Sequence, residues 1–195
     1  MVKTCVSDVR TQMTMLEDRY LVWQLKRGSE RALCRIYNQY ETDLLTLATH
    51  LLGRTDQAQD VLQDVFLKFI ESIDSFELKG SLKGYLATCV VNRARDYLRR
   101  ARGHRAEPLE TAQAVETRHS SPLQEAIAGE QQQRLRTALV ELPDEQREAV
   151  LLHLQMGLKF RDIAHMQGVS GKTAWSRYRY GLDRLRSLLN GQAET

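Results

Sequence analysis

The chain has 195 residues, 42% hydrophobic and 27% charged, and its formal net charge is +3 at pH 7. That length suits one large or two small domains, and so small a net charge does not by itself indicate a nucleic-acid partner. No run of about 18 or more apolar residues occurs, and no basic segment precedes an apolar core at the N-terminus, so we expect a cytoplasmic protein without membrane insertion.

The first half of the chain is predicted to be helical from Tyr20 to about Arg102, because its apolar residues recur at helical spacing without strand-like alternation. A first stripe, ended by Gly53, contains Leu33, Ile36, Tyr37, Tyr40, Leu44, Leu45, Ala48, Leu51 and Leu52. A second contains Ala58, Val61, Leu62, Val65, Phe66, Phe69, Ile70 and Ile73. The polar face of this second helix carries Asp60, Gln63, Asp64 and Glu71.

The segment from Phe76 to Tyr85 has two glycines and two lysines between aromatic ends, which predicts a loop. Helical spacing then returns at Leu86, Val90, Ala94, Tyr97, Leu98 and Ala101. This helix is the densest basic region of the chain, with Arg93, Arg95, Arg99, Arg100, Arg102 and Arg105 against the single acid Asp96.

The apolar period fades between roughly residues 104 and 129, where prolines, serines and glutamates predict a polar linker that can hold short helical pieces. Helical spacing resumes at Leu135, and Pro143-Asp144 starts a further helix. We therefore expect an all-α protein of two small helical domains, joined by this linker. The predicted boundaries are 1–19 for an N-terminal extension, 20–105 and 130–190 for the domains, 106–129 for the linker and 191–195 for a tail.

A helix-turn-helix is predicted near the C-terminus, starting at Phe160. Gly168 allows the positive φ of a sharp turn, and Ser170 supplies an oxygen that caps the second helix. The outward face of that helix carries Lys172, Trp175, Ser176 and Arg179, whose groups can contact phosphates and base edges in a major groove. The alternative is an ordinary helical hairpin with a solvated outer face. DNA reading is favoured because turn, cap and outward face agree.

Four segments, in this order and at these distances, resemble the extracytoplasmic-function group of bacterial RNA polymerase sigma factors. They begin at Asp60 (DVLQDVFL), Gly84 (GYLATCVVNRARDYLRR), Leu142 (LPDEQR) and Thr173 (TAWSRYRYGLDRLR). The resemblance implies a promoter-recognition subunit without chemistry of its own. Its partners would be promoter DNA and core RNA polymerase, bound at the clamp region of the beta-prime subunit, and many similar proteins are held by an anti-sigma factor.

The resemblance also implies roles for particular residues. Contacts to core polymerase would come from Asp60, Gln63, Asp64 and Glu71. Contacts to the minus-10 element would come from Lys79, Ser81, Lys83, Tyr85, Asn92, Arg93, Arg95, Arg99 and Arg102. Contacts to the minus-35 element would come from Lys172, Thr173, Trp175, Ser176, Arg177 and Arg179.

Two of these positions depart from the family pattern. Tyr85 stands where tryptophan is usual, and Trp175 stands where lysine or arginine is common. For the acidic face of the second helix, the simpler interpretation is a merely solvated surface. For Tyr85, the simpler interpretation is a lid over the core. Stacking of an unpaired base on Tyr85 and binding of phosphates by the arginines are the functional ones.

Two other classes of function are less consistent with the sequence. A helix-turn-helix regulator acting without polymerase would leave the acidic helix and the basic loop unexplained. An enzyme would need a site, and no third ligand can be placed beside Asp60 and Asp64. The cysteines, Cys5, Cys34 and Cys89, are odd in number and far apart, which favours reduced thiols. We therefore expect no metal, no cofactor and no small-molecule substrate.

Overall fold

The computed structural model describes the backbone of residues 3–103 and 122–191 and the side chains of residues 15–101 and 130–191. The described backbone is all-α, as predicted. Its helices are α1 (Lys3–Lys26), α2 (Glu30–Leu52), α3 (Thr55–Glu71), α4 (Leu82–Gly103), α5 (Pro122–Val140), α6 (Asp144–Leu154), α7 (Phe160–Gln167) and α8 (Gly171–Gly191). A single 3-10 turn, Ile73–Ser75, follows α3. No helix in these ranges is long and apolar enough to cross a membrane.

Helix α2 shows why the first stripe folds as predicted. Ser29 caps its start, because the Ser29 Oγ accepts a hydrogen bond from the Ala32 N–H at 3.4 Å. At its end Gly53 adopts a φ of 76°, and its N–H donates to the Thr49 carbonyl at 2.8 Å. This left-handed conformation costs little for glycine, so the helix stops where the sequence indicated.

The first domain packs α1 to α4 around one core that includes Leu21, Ile36, Leu44, Phe69 and Leu86, all fully buried. Helix α1 runs unbroken through the boundary predicted between residues 19 and 20. Asp18 lies in the segment predicted as the N-terminal extension, yet it is buried and accepts a hydrogen bond from the Tyr40 hydroxyl at 2.5 Å. The end of the extension therefore belongs physically to the first domain.

The second domain packs α6 and α7 on α8. Helices α6 and α8 approach closely at Gly181, where an added Cβ would lie 2.8 Å from Val150 Cγ2. His153 stacks on Phe160 and meets the edge of Tyr178, with ring centroids 4.3 Å and 4.8 Å away. Helix α5 begins inside the predicted linker, of which residues 106–121 lie outside the described residues.

The two domains pack against each other. The Gln155 amide of the second donates to the Asp43 carbonyl of the first at 2.9 Å. Leu158 covers Gly84, where an added Cβ would lie 3.2 Å from the Leu158 Cδ2. The loop before α4 and the turn between α6 and α7 therefore face each other across a cleft of about 1410 Å³.

Candidate nucleic-acid interface

An acidic face runs along α3. Asp60, Gln63 and Glu71 are exposed and Asp64 is half-buried, so the four predicted residues share the outer side of the helix. Leu67 lies on the same side and leaves 57% of its surface exposed. The sequence interpretation missed this residue, although an apolar side chain outside the buried stripe was the available signal. Leu67 thus adds one apolar group to the acidic side of the helix.

Helix α4 lies beside this acidic face. The Arg93 guanidinium donates to Asp64 Oδ2 through Nε at 2.8 Å and also through Nη2. Arg93 was predicted to bind DNA and Asp64 to bind a protein, yet the structure joins them in one ion pair. The two predicted surfaces are therefore adjacent and electrostatically linked.

The predicted loop from Phe76 to Tyr85 is shorter than expected. Helix α4 begins at Leu82, because the Ser81 Oγ accepts a hydrogen bond from the Gly84 N–H at 3.3 Å and caps the first turn. The prediction that Lys83, Gly84 and Tyr85 lie in a loop is therefore wrong. Gly84 suggested that the loop continues, but the cap from Ser81 starts the helix before it.

Tyr85 belongs to an aromatic cluster. Its ring centroid lies 4.6 Å from that of Phe76 and 6.0 Å from that of Phe69. Burial raises the pKa of the Tyr85 hydroxyl, with its contact to Cys89 adding to the effect. The ring is nevertheless only half-buried, so one part covers the core while another remains accessible. Both interpretations of Tyr85, a lid and a stacking platform, agree with this position.

The other polar groups predicted for this surface differ in their availability. Lys79 and Asn92 are exposed, and Ser81 is half-buried. The Lys83 Nζ lies 2.6 Å from Asp43 Oδ2, and Arg99 pairs with Asp96 at 2.9 Å. Arg95 pairs with Glu148 of the second domain. The Arg102 side chain lies outside the described residues. Lys83, Arg95 and Arg99 are therefore already paired with carboxylates.

The helix-turn-helix forms as predicted from α7, a turn and α8. Gly168 adopts a φ of 64°. Ser170 caps α8, since its Oγ accepts a hydrogen bond from the Thr173 N–H at 3.1 Å. Arg177 is half-buried and donates to Gln167 Oε1 at 3.0 Å, which ties α8 to α7. These contacts fix the orientation of α8 on its domain.

The outward face of α8 is aromatic as well as basic. Lys172, Thr173, Trp175 and Arg179 are exposed, and Ser176 is half-buried. The Arg179 guanidinium carbon lies 5.2 Å from the Trp175 ring centroid and 5.1 Å from that of Tyr180. Tyr180 was missed, although its place outside the inward-facing stripe of α8 could have revealed it. Both rings therefore make a cation–π contact with the same guanidinium.

Among the described residues, no group of three or more histidine, cysteine, aspartate or glutamate side chains could hold a metal ion. Cys34 and Cys89 are free thiols. What the described surface offers is hydrogen-bond donors, cations and aromatic rings, which suit recognition of polymers.

Comparison with known proteins divides the chain in two. Residues 36–104 match the family model of Sigma-70 region 2, and residues 132–185 match that of Sigma-70, region 4. The first match contains α3 and α4, and the second contains the helix-turn-helix.

Individual relatives agree with these matches. The chain is 33% identical over 162 residues to the ECF RNA polymerase sigma factor SigM of Mycobacterium tuberculosis, covering 83% of this chain and 79% of that protein. Its fold is similar to the sigma factor RpoE in complex with the anti-sigma factor NepR from Bartonella quintana, with a TM-score of 0.67, 27% identity and coverage of 80% and 95%. CnrH in complex with the cytosolic domain of CnrY shares the fold at a TM-score of 0.66 and 22% identity, over 90% and 98% of the two chains.

Proposed function

Because the chain belongs to the extracytoplasmic-function sigma factors and so directs RNA polymerase to specific promoters to initiate transcription, we propose which of its surfaces performs each step. The observation that carries the assignment is the order of the two family matches, each on a domain with the expected surface. A regulator acting without polymerase is not favoured, because it would not need the first domain. Catalysis stays with the polymerase, and this chain supplies recognition.

Core polymerase binds the acidic face of α3. The support is the exposure of Asp60, Gln63 and Glu71 around Leu67, which offers an apolar anchor inside a negative rim. A basic, partly apolar helix pair would complement such a face in both charge and shape. The clamp region of the beta-prime subunit is the partner that the family implies.

The minus-10 element is opened beside the loop before α4. An unpaired base stacks on the accessible part of Tyr85, which supplies about 1–3 kcal/mol toward the unstacking energy. Phe69 and Phe76 support the tyrosine ring from behind, so it is already oriented before the base arrives. Exposed Asn92 offers both a donor and an acceptor to a base edge. Phosphates are held by Lys79, Lys83, Arg93, Arg95, Arg99 and Arg102, with Ser81 at the helix start.

The minus-35 element is read by α8. Trp175 positions Arg179 for this task, since a guanidinium held over an aromatic ring keeps its planar edge free for hydrogen bonds. Such an edge matches O6 and N7 of guanine, and one bidentate contact gives about 1–3 kcal/mol of discrimination. Lys172, Thr173 and Ser176 lie on the same side and complete the contacts, while Arg177 is directed to a phosphate.

The predicted domain boundaries fit this division with one adjustment. Residues 20–105 form the minus-10 domain and 130–190 the minus-35 domain, and the end of α1 before Tyr20 packs with the first. Since two solved relatives are complexes with an anti-sigma factor or a cytosolic partner domain, a protein inhibitor of the same class is a further partner. Bacterial polymerase acts in the cytoplasm, so the chain functions there.

A pull-down with purified core RNA polymerase tests this assignment. The chain should bind the core enzyme, and excess free primary sigma factor should displace it, because both need the clamp. Duplex DNA binding by the free chain together with no retention on core polymerase would instead support a regulator.

A further inference from the structure

One ion pair joins the two domains at their centre. Arg95 of α4 donates through Nε to Glu148 Oε1 at 2.6 Å and through Nη2 to Glu148 Oε2. The Glu148 side chain is only 4% exposed, whereas that of Arg95 is 37% exposed. Arg95 also donates to the Met166 carbonyl at 3.4 Å. The carboxylate is thus held inside the second domain, and the guanidinium reaches it from the first.

Glu148 continues this contact toward the helix-turn-helix. Its Oε2 also accepts a hydrogen bond from the Gln167 amide at 3.2 Å, and Gln167 Oε1 accepts one from Arg177 at 3.0 Å. A polar chain of four side chains therefore links Arg95, which we assigned to a minus-10 phosphate, with Arg177, which we assigned to a minus-35 phosphate. Arg95 cannot give the same two N–H groups to Glu148 and to a phosphate at once.

Other contacts keep the domains in this arrangement. The Gln155 amide binds the Asp43 carbonyl at 2.9 Å, and Leu158 lies over Gly84 at the start of α4. Gly84 stands between Lys83 and Tyr85, the residues assigned to the opened minus-10 strand. The second domain therefore covers part of the surface that the opened strand must reach.

We propose that Glu148 is a latch that holds the free chain closed by occupying Arg95, and that a minus-10 phosphate opens the chain by taking Arg95 from it. The inference rests on the proposed DNA role of Arg95. Carboxylate and phosphate compete directly, because both accept the same pair of parallel N–H bonds from a guanidinium. The apparent affinity for DNA is then reduced by the fraction of chains that are closed.

Four full-length variants test the latch. Glu148→Gln removes the charge with little change in shape, and Arg95→Glu sets two carboxylates against each other. The double variant Arg95→Glu/Glu148→Arg restores opposite charges in reverse order. Gln155→Ala removes the separate contact to Asp43. It tests whether the domains are held closed even if a change at buried Glu148 prevents folding. Glu141→Gln is the matched control, because it makes the same chemical change at an exposed position of the second domain.

Small-angle scattering of the free chains reports whether the domains separate. Glu148→Gln, Arg95→Glu and Gln155→Ala should each increase the radius of gyration, with the largest increase for Arg95→Glu. The double variant and Glu141→Gln should match the parent chain. Circular dichroism serves to check that each variant remains helical. Equal radii for the parent, Arg95→Glu and Gln155→Ala would overturn the proposal.

Binding to a fluorescent single-stranded oligonucleotide of mixed sequence reports the competition, since phosphate contacts do not depend on sequence. Glu148→Gln should bind about fivefold tighter or more, a factor at the low end of ordinary coupling between sites. The double variant should stay closed and bind no tighter than the parent, since its position 95 carries a carboxylate. If the domains of Glu148→Gln separate but its affinity for the oligonucleotide does not rise, the proposal would also be overturned. That result would show that Arg95 does not bind phosphate, while core-polymerase binding would remain as an independent test of the sigma-factor assignment.

Discussion

Arg93 of α4 and Asp64 of α3 form one ion pair, although the first faces promoter DNA and the second faces core polymerase in the proposed assembly. Asp64 is 39% exposed and Arg93 is 27% exposed, so each can still be approached by a partner. If polymerase takes Asp64, it releases Arg93 for a phosphate. Binding of the two partners is then mutually favourable through this pair, because each removes a competitor of the other.

Reversing the charge at Asp64 should strongly weaken core binding. Asp64→Arg places a cation in the acidic face and also repels Arg93, and we expect a loss of about 2 kcal/mol or more in core-polymerase affinity. The helical content should not change. Glu77→Arg makes a comparable charge change at an exposed site outside α3 and should bind core polymerase like the parent. Unaltered affinity of Asp64→Arg, measured by fluorescence anisotropy, would refute the assignment of α3.

Leu67 should act as an apolar anchor of the same surface. Since it is 57% exposed, Leu67→Ala should change the free energy of unfolding by less than about 0.5 kcal/mol. Core-polymerase affinity should nevertheless fall by about 1 kcal/mol or more, as for an anchor residue. Leu154→Ala is the matched control, because Leu154 is 59% exposed but lies on α6. Equal effects of the two substitutions on core binding would count against a special role for Leu67.

Trp175 should affect DNA recognition through Arg179. Arg179→Ala should weaken minus-35 binding by about 1–3 kcal/mol and relax base preference at one position. Trp175→Ala should relax preference at that same position, whereas Trp175→Phe, which keeps a ring under the guanidinium, should largely retain it. Binding to a randomised minus-35 library measures both quantities. Loss of preference at a different position in Trp175→Ala would mean that the ring contacts a base itself.

His50 should make the stability of the chain depend on pH. Burial lowers the pKa of His50 below its ordinary value of 6.5; the nearby Gln155 side chain opposes this shift, and the charge of Arg136 adds to it. The unfolded chain therefore binds this proton more readily, so the free energy of unfolding falls as the pH drops below 6.5. His50→Gln should lose less stability than the parent between about pH 7 and pH 5. Parallel unfolding curves for the two proteins across this range would exclude His50 as the cause.

The sequence predicted the helices and their buried faces well, because apolar spacing and caps are local properties. Gly168 and Ser170 specified the turn before α8 without reference to any distant residue. The start of α4 was misplaced because Gly84 suggested a loop, while the cap from Ser81 was overlooked.

Partners distant in the chain were beyond such reasoning. Nothing in the sequence indicates that Arg95 meets Glu148 or that Arg93 meets Asp64, since an arginine looks the same whether it faces water, DNA or another domain. Leu67 and Tyr180 were missed for a related reason. Apolar periodicity identifies what is buried, whereas these residues matter because they are exposed.

The most direct test of the account is transcription by purified core polymerase on fragmented genomic DNA of the source bacterium, with the start sites mapped. Adding the chain should produce new starts that share two sequence elements at a constant separation, near minus 10 and minus 35. Asp64→Arg should abolish these starts. Transcription that is unchanged by adding the chain, or new starts without a shared pair of elements, would contradict the assignment of the two domains.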